Sequence, residues 1–289
     1  MHVLVTAARG KTGRRVIAAL QRKVPGVSIR ALSRGAFESA TVEAVSGDMD
    51  DPHVRKLAVA GMDVVIHYAP PMDPRESAMG TGMIDAAVAA GVSRFVYVSV
   101  IHPEIDDLPN HQAKLRVEAH LINSGIEWSV LRPQHYFQNI DIADVVKREF
   151  LTVPYPAWTR LGHVDMNDLA DAVAKVSTEP GHAFATYDIA SAEHLTVDDI
   201  CTTISEISGK IIRSHEISPS ELVSYIKAAH PLTAYSEEAF HRLFGYYSRR
   251  GIYGNPNVLS WLLERQPGSF RDYVERSLAG TEGLVGNRA

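Results

Sequence analysis

Cys201 is the only cysteine among 289 residues, which excludes an intrachain disulfide framework and fits a reducing compartment. No run of about 18 or more uncharged apolar residues appears, so no transmembrane helix is expected. Neither sign of charge is in excess. Lys and Arg number 29 against 34 Asp and Glu, and the formal net charge of -5 favours neither nucleic acid nor an anionic membrane as a partner. Internal repeats and low-complexity tracts are missing too. The opening Met1-His2-Val3-Leu4-Val5-Thr6 enters an apolar strand without the basic and long apolar regions of a signal peptide. These absences predict a cytoplasmic protein whose partner is a small molecule, and they leave monomer and homodimer equally open.

Several catalytic motifs are absent as well. There is no His-Glu-x-x-His and no paired cysteine, and His163-x-Asp165 stands isolated, so no metal site is expected. No Gly-x-Ser-x-Gly elbow exists for a serine nucleophile. Asp165 and Asp168 read as a strand-end contact and a helix cap, not as a carboxylate pair for glycoside chemistry. Gly10-Lys11-Thr12 invites a P-loop reading, but that motif requires a glycine five residues before Gly10, where Val5 stands.

What is present is the balance of a globular protein with a large core, 45% hydrophobic and 22% charged. Apolar runs and helical patterns alternate from the start. Strands are expected at 3–5, 27–32, 41–45, 63–68, 94–99 and 128–132. Helices are expected after Thr12 and over 52–60, 83–90 and 115–123. Strands this apolar belong to a parallel sheet covered on both faces. Beyond about residue 140 the rhythm changes, with a helix within 164–176, a short strand at 187–189 and a helix capped by Thr196. Residues 219–280 are mostly helical, with Tyr225, Tyr235, Phe240, Phe244, Tyr246 and Tyr247 expected in core and pocket wall. The fold class is therefore α/β, a Rossmann-type doubly wound parallel sheet with a smaller, mostly helical C-terminal lobe. The nucleotide-binding domain is expected over residues 1–150, its sheet completed by a strand near 185–190. The substrate-binding lobe is expected over 151–289.

The first strand ends in Ala7-x-x-Gly10-x-x-Gly13, with a helix beginning near Thr12. Backbone N–H groups at such a turn, aided by the helix dipole, suit a pyrophosphate, and small residues allow its close approach. Ala7 stands where a glycine is usual. An NAD-selective site ends the second strand on Asp or Glu, which bonds the ribose 2′-hydroxyl. Here the strand ends Leu32-Ser33-Arg34, with no acid before Glu38. A guanidinium at that place suits a 2′-phosphate, so NADP(H) is the expected cofactor.

With these residues placed, the chain resembles the NmrA-like atypical short-chain dehydrogenases/reductases over nearly its whole length. The likeness is carried by the glycine turn at 6–13, Gly47-Asp48-Met49, Ala69-Pro70-Pro71 and Ala89 through Ser99. It continues through Ser124-Gly125-Ile126, Leu131-Arg132-Pro133 and Leu262 through Pro267. Arg9-Gly10-Lys11-Thr12 and Arg132-Pro133-x-x-Tyr136-Phe137-x-Asn139 are most similar to reductases of ergot-alkaloid type, which reduce a cyclic iminium with NADPH. The resemblance implies that Ala7, Arg9, Gly10, Lys11, Thr12 and Gly13 hold the pyrophosphate, and Arg34 the 2′-phosphate. It also implies Asp48 and Met49 at the adenine, Ala69 and Pro70 along the ribose, and Ser99 and the segment after Pro133 near the nicotinamide.

Dehydrogenases of that superfamily use Tyr-x-x-x-Lys. Lys114 is present, but Asn110 stands four residues earlier, and an amide is no proton donor. Hydride attack on an iminium, enone or quinone needs orientation and exclusion of water more than a strong acid. His111, on the same helix face as Lys114, and His135 and Tyr136, after the strand-ending proline, are the candidate acids. Lys114 itself is expected to bond the nicotinamide ribose. The expected function is an NADPH-dependent reductase of a small, electron-poor organic molecule. A redox-sensing NADP(H) binder without turnover, or an isomerase or cyclase on the same fold, are the alternatives.

Overall fold

A computed structural model describes residues 1–280 of the chain; residues 281–289 of the expected C-terminal lobe lie outside the described residues. The chain divides into two compact units. The first comprises Met1–Ile105, Asn110–Pro133 and Leu169–Tyr187; the second comprises Asp106–Pro109, Gln134–Asp168 and the chain from Asp188 onward.

The first unit opens with β1 (His2–Val5), α1 (Lys11–Lys23), β2 (Ser28–Ser33), β3 (Val42–Ser46) and α2 (Pro52–Val59). It continues with β4 (Val64–His67), α3 (Glu76–Ala89), β5 (Arg94–Val98), α4 (Pro109–Asn123) and β6 (Glu127–Pro133). The chain then passes β7 (His135–Tyr136), α5 (Ile142–Arg148), β8 (Phe150–Val153) and β9 (Leu161–Val164). Next come α6 (Met166–Thr178), whose later turns belong to the first unit, and β10 (Ala185–Ile189). The remainder is β11 (His194–Leu195), α7 (Val197–Ser208), β12 (Arg213–Glu216), α8 (Pro219–Ala229), α9 (Ala234–Arg250), α10 (Asn257–Leu263) and α11 (Phe270–Leu278).

The seven-stranded sheet runs β10-β6-β5-β4-β1-β2-β3. From β3 to β6 every neighbouring pair is parallel, which requires crossovers and explains the intervening helices. The order reverses at β1, between β2 and β4, and ligands of such sheets bind outside the carboxyl ends of the strands at that point. β4 is buried throughout, so its apolar run Val64-Val65-Ile66 needs no polar alternation. The core of this unit packs Leu4, Leu32, Val65, Met79, Met83, Phe95, Tyr97, Val117 and Val130 together. Each such side chain, fully buried, contributes about 1.5–3 kcal/mol.

Two helices begin well before the expected positions. α3 starts at Glu76, not Met83, and α4 at Pro109, not Leu115. The turns so gained bury Glu76, Asn110, His111 and Lys114, polar residues that an apolar period does not register.

The second unit has its own core, in which Phe137, Ile142, Val153, Ile200, Ile204, Phe270 and Val274 come together. Thr196 caps α7 in a capping box with Asp199, as its sequence signature predicts. Of the aromatic residues between 225 and 247, Tyr247 is buried and Phe240, Phe244 and Tyr246 are half-buried. Tyr225 departs from the expectation: it is 63% exposed on α8. No described helix is long and apolar enough to cross a membrane.

Candidate functional site

The turn after β1 is built on Thr6. Its buried hydroxyl donates to the Tyr68 carbonyl at 2.9 Å and accepts from the Tyr68 N–H at 3.1 Å, tying the end of β1 to the end of β4. The same oxygen lies 3.1 Å from His67 Nδ1. Since the hydroxyl proton goes to the carbonyl, Nδ1 carries the ring proton. Burial, with the Lys114 charge adding to it, holds His67 down to about 3, so this ring is neutral.

Ala7 follows with φ +45°, the left-handed conformation a glycine adopts without penalty. An alanine there costs about 1 kcal/mol, and Gly10 N–H bonding to the Ala7 carbonyl at 2.9 Å helps hold it. Gly13 is required sterically. A Cβ at this position would lie 2.7 Å from both the Ala7 oxygen and Ala8 Cα, so only glycine lets α1 sit this close to the turn. Gly10 caps α1 without a side-chain bond, and the first turn holds no acid. Lys11 and Gly10 are exposed and Thr12 half-buried there, so the leading N–H groups and helix dipole favour an anion.

At the carboxyl end of β2, Arg34 is exposed. Arg9 reaches across to the same place: a Cβ on Gly35 would lie 2.1 Å from its Nη1. Asp48 follows β3, and its carboxylate accepts from the Asp50 N–H at 3.0 Å and from Arg75 at 3.3 Å. The Asp50 bond first, then the Arg75 and Arg34 charges, hold Asp48 below the usual carboxylate range. Arg75 also pairs with Asp73 at 3.0 Å. Met49 and Ala69 are buried, and Pro70 is half-buried.

Deeper in the same unit, Ser99 donates its N–H to the Leu131 carbonyl at 2.8 Å, while its buried hydroxyl has no partner among the described residues. Buried Pro133 accepts from the Ile101 N–H at 2.9 Å. Lys114 on α4 places its ammonium 2.5 Å from Glu76 Oε1 and 6.0 Å from the centre of the Tyr97 ring. Asn110, one turn earlier, is buried, and its amide oxygen has no partner among the described residues. His111 shares that face, with Nδ1 3.0 Å from the His102 carbonyl. Only an N–H can bond a carbonyl, so the ring proton sits on Nδ1. Burial foremost keeps His111 neutral, with a pKa near about 4.

His135 and Tyr136 lie in the second unit. They form β7, paired with His163 and Val164 of β9. His135 Nε2 lies 3.1 Å from the Asn139 amide nitrogen, which donates. The ring stands edge-on to His163 at 5.2 Å and to Tyr247 at 6.2 Å, and burial lowers its pKa to about 4.

Three residues of this region had no sequence signal assigning them a role. Glu76, Arg75 and Tyr97 carry ordinary helix-start and strand patterns; only the folded chain shows a buried carboxylate beneath Lys114. Asp165 accepts from the Asn167 N–H at 2.8 Å and so makes the cap, and it also bonds Gln138 and Arg276. Asp168 is no cap; it bonds Arg265 and the Gly268 N–H, each at 2.6 Å. Among the described residues no group of three or more His, Cys, Asp or Glu is placed to hold a metal ion.

Comparison with known proteins agrees with this architecture. Quinone oxidoreductase 2 of Escherichia coli is 23% identical over 232 residues, covering 78% of this chain and 81% of that protein. Festuclavine synthase I of Penicillium roqueforti is 26% identical over 237 residues, covering 78% and 80%. The structure of a triphenylmethane reductase from Citrobacter sp. complexed with NADP(H) superposes with a TM-score of 0.82 at 24% identity, covering 95% and 99%. That of the Escherichia coli NADPH-dependent quinone oxidoreductase with NADPH gives 0.81 at 21%, covering 96% and 99%. The family model described as NmrA-like matches residues 1–273, and the chain belongs to the NmrA-like family.

Proposed function

We propose that the protein is an NADPH-dependent reductase that transfers hydride to small, planar, electron-poor organic acceptors of quinone, enone or iminium type. It is an oxidoreductase that binds NADP(H), and the cofactor is assigned to its first unit. The observation that carries this is the turn at 7–13 together with the carboxyl end of β2. Gly13 lets the start of α1, which has no side-chain cap, pack close against the turn, and Arg34 and Arg9 stand where an NAD-selective chain has an acid. Relatives named as quinone oxidoreductase, festuclavine synthase and triphenylmethane reductase support the choice of acceptor.

When bound, NADPH supplies the hydride. Ala7 through Gly13 hold the pyrophosphate on backbone N–H groups. Arg34 and Arg9 bond the 2′-phosphate, Asp48 and Met49 meet the adenine, and Ala69 and Pro70 flank the ribose. Ser99, Lys114 and Pro133 form the nicotinamide end, where the free Ser99 hydroxyl has hydrogen-bonding capacity to offer. Asn110 replaces the usual tyrosine, so acceptors that need no proton before hydride arrives suit the site. Of the candidate acids, His111 and His135 are neutral near pH 7. Tyr136, the remaining candidate acid, lies in the second unit.

The test follows absorbance of the reduced-nicotinamide band with NADPH and a panel of quinones and cationic dyes. Oxidation with at least one acceptor is the expected result. NADPH binding with no oxidation across the panel instead supports a sensor without turnover. Arg34→Ala is expected to lower the preference for NADPH over NADH by about tenfold or more, the value of one or two charge-assisted bonds. An unchanged preference refutes the phosphate assignment.

A further inference from the structure

Glu76 has no solvent-exposed surface, yet it carries a carboxylate. One oxygen, Oε1, receives the Lys114 ammonium at 2.5 Å, and the other, Oε2, has no partner among the described residues. Burial pushes this carboxyl upward, and the Lys114 charge opposes that shift. A buried ion pair of this kind is weak support for stability, since apolar residues of equal volume often serve as well or better. The pair therefore lacks a sufficient reason in folding alone.

Its surroundings restrict Lys114 closely. The rings of His67 and Tyr97, in register on β4 and β5, stack at 5.9 Å, and the ammonium stands over the Tyr97 face. Asn110 and His111 share the helix face with it. His111 is turned to the His102 carbonyl, and the Asn110 oxygen has no partner among the described residues. Among the described residues the ammonium bonds Glu76 alone. One of its three N–H groups is used, and two remain. A lysine side chain is otherwise free to sample many rotamers, and fixing it costs about 1.5–2 kcal/mol. The carboxylate removes that freedom before any ligand arrives.

We infer that Glu76 is a positioning residue, holding the Lys114 ammonium charged and in one place so that its remaining N–H groups bond the nicotinamide-side ribose of NADP(H). This rests on the NADP(H) assignment above.

Binding of NADPH, and of an adenosine bisphosphate fragment that carries the 2′-phosphate but no nicotinamide ribose, is titrated by intrinsic fluorescence. The chains compared are wild type, Glu76→Gln, Glu76→Asp, Lys114→Met and the double variant Glu76→Gln/Lys114→Met, each with a thermal melt. Glu76→Gln is expected to weaken NADPH about tenfold, as loss of one charge-assisted contact does, and to leave the fragment unaffected. The double variant is expected to bind no more weakly than Lys114→Met. Glu76→Asp keeps the charge but withdraws it by one methylene. It is expected to weaken NADPH severalfold, and it carries the test if the glutamine variant does not fold. Equal NADPH affinity in Glu76→Asp and wild type, additive losses in the double variant, or parallel weakening of the fragment overturns the inference. Wild type that binds the fragment and not NADPH overturns it too. Wild type that binds neither overturns the NADP(H) assignment, and the inference with it.

Discussion

At the residue scale, the glycines of the nucleotide end are not interchangeable. Gly13 faces backbone, which cannot yield, whereas Gly35 faces only the end of the Arg9 side chain. The φ of Gly35 is not positive, so alanine fits its backbone without strain. Gly35→Ala is therefore expected to leave the melting temperature unchanged while displacing the Arg9 guanidinium. NADPH affinity is expected to fall severalfold, and NADH affinity to stay the same. Titrating both nucleotides checks this; equal losses for the two would separate Arg9 from the 2′-phosphate. Arg34 was legible in the sequence because strand-ending position and charge are both linear properties. The Arg9 approach was not, since residues 9 and 35 meet only once β1 and β2 pair.

At the element scale, carboxylates at the start of α6 and before β11 tie down the C-terminal helices of the second unit. Asp168 accepts from Arg265 and the Gly268 N–H, Asp165 pairs with Arg276, and Glu193 accepts from the Phe270 N–H at 2.6 Å. The Phe270 N–H opens α11, a helix whose own cap is the Ser269–Asp272 box. Asp168→Ala removes two charge-assisted bonds from a buried site. It is expected to destabilise the chain by about 2–3 kcal/mol and to accelerate amide exchange at Gly268 and the first turn of α11. Exchange followed by mass spectrometry reads both, and unchanged protection there would remove the tie. The sequence marked Asp165 and Asp168 as structural carboxylates. Which helix each one serves depends on arginines about a hundred positions downstream, a separation no local pattern spans.

At the scale of the whole molecule, burial keeps four histidines neutral: His67, His111 and His163 are fully buried and His135 is half-buried. His67 and His163 lie near about 3, His111 and His135 near about 4. In the unfolded chain each takes a proton near about 6.5. The unfolded state then binds more protons than the folded one, so stability falls as pH drops from about 6.5 toward 4. Each histidine contributes up to about 1.4 kcal/mol per pH unit within that window. The melting temperature is expected to fall steadily below about pH 6.5. His163→Gln is expected to make the slope shallower by one proton. A wild-type melting temperature flat down to about pH 5 contradicts this account.

The alternation of strands and helices in the first half, the glycine turn, the basic end of β2 and the Thr196 cap were all determined by the sequence itself. Each depends on residues adjacent along the chain, where period, φ demand and charge act locally. Tertiary structure alone decided the early starts of α3 and α4 and the pairing of Glu76 with Lys114. The turns gained by those helices bury Glu76 and Lys114, partners 38 positions apart. Burying a polar group is tolerable only with its partner in place, so its cause appears only when distant elements meet. The same holds for the candidate acids. Sequence spacing nominated His111 and His135, but only the folded backbone turns their rings to the His102 carbonyl and the Asn139 amide, which set the ring nitrogen that carries the proton.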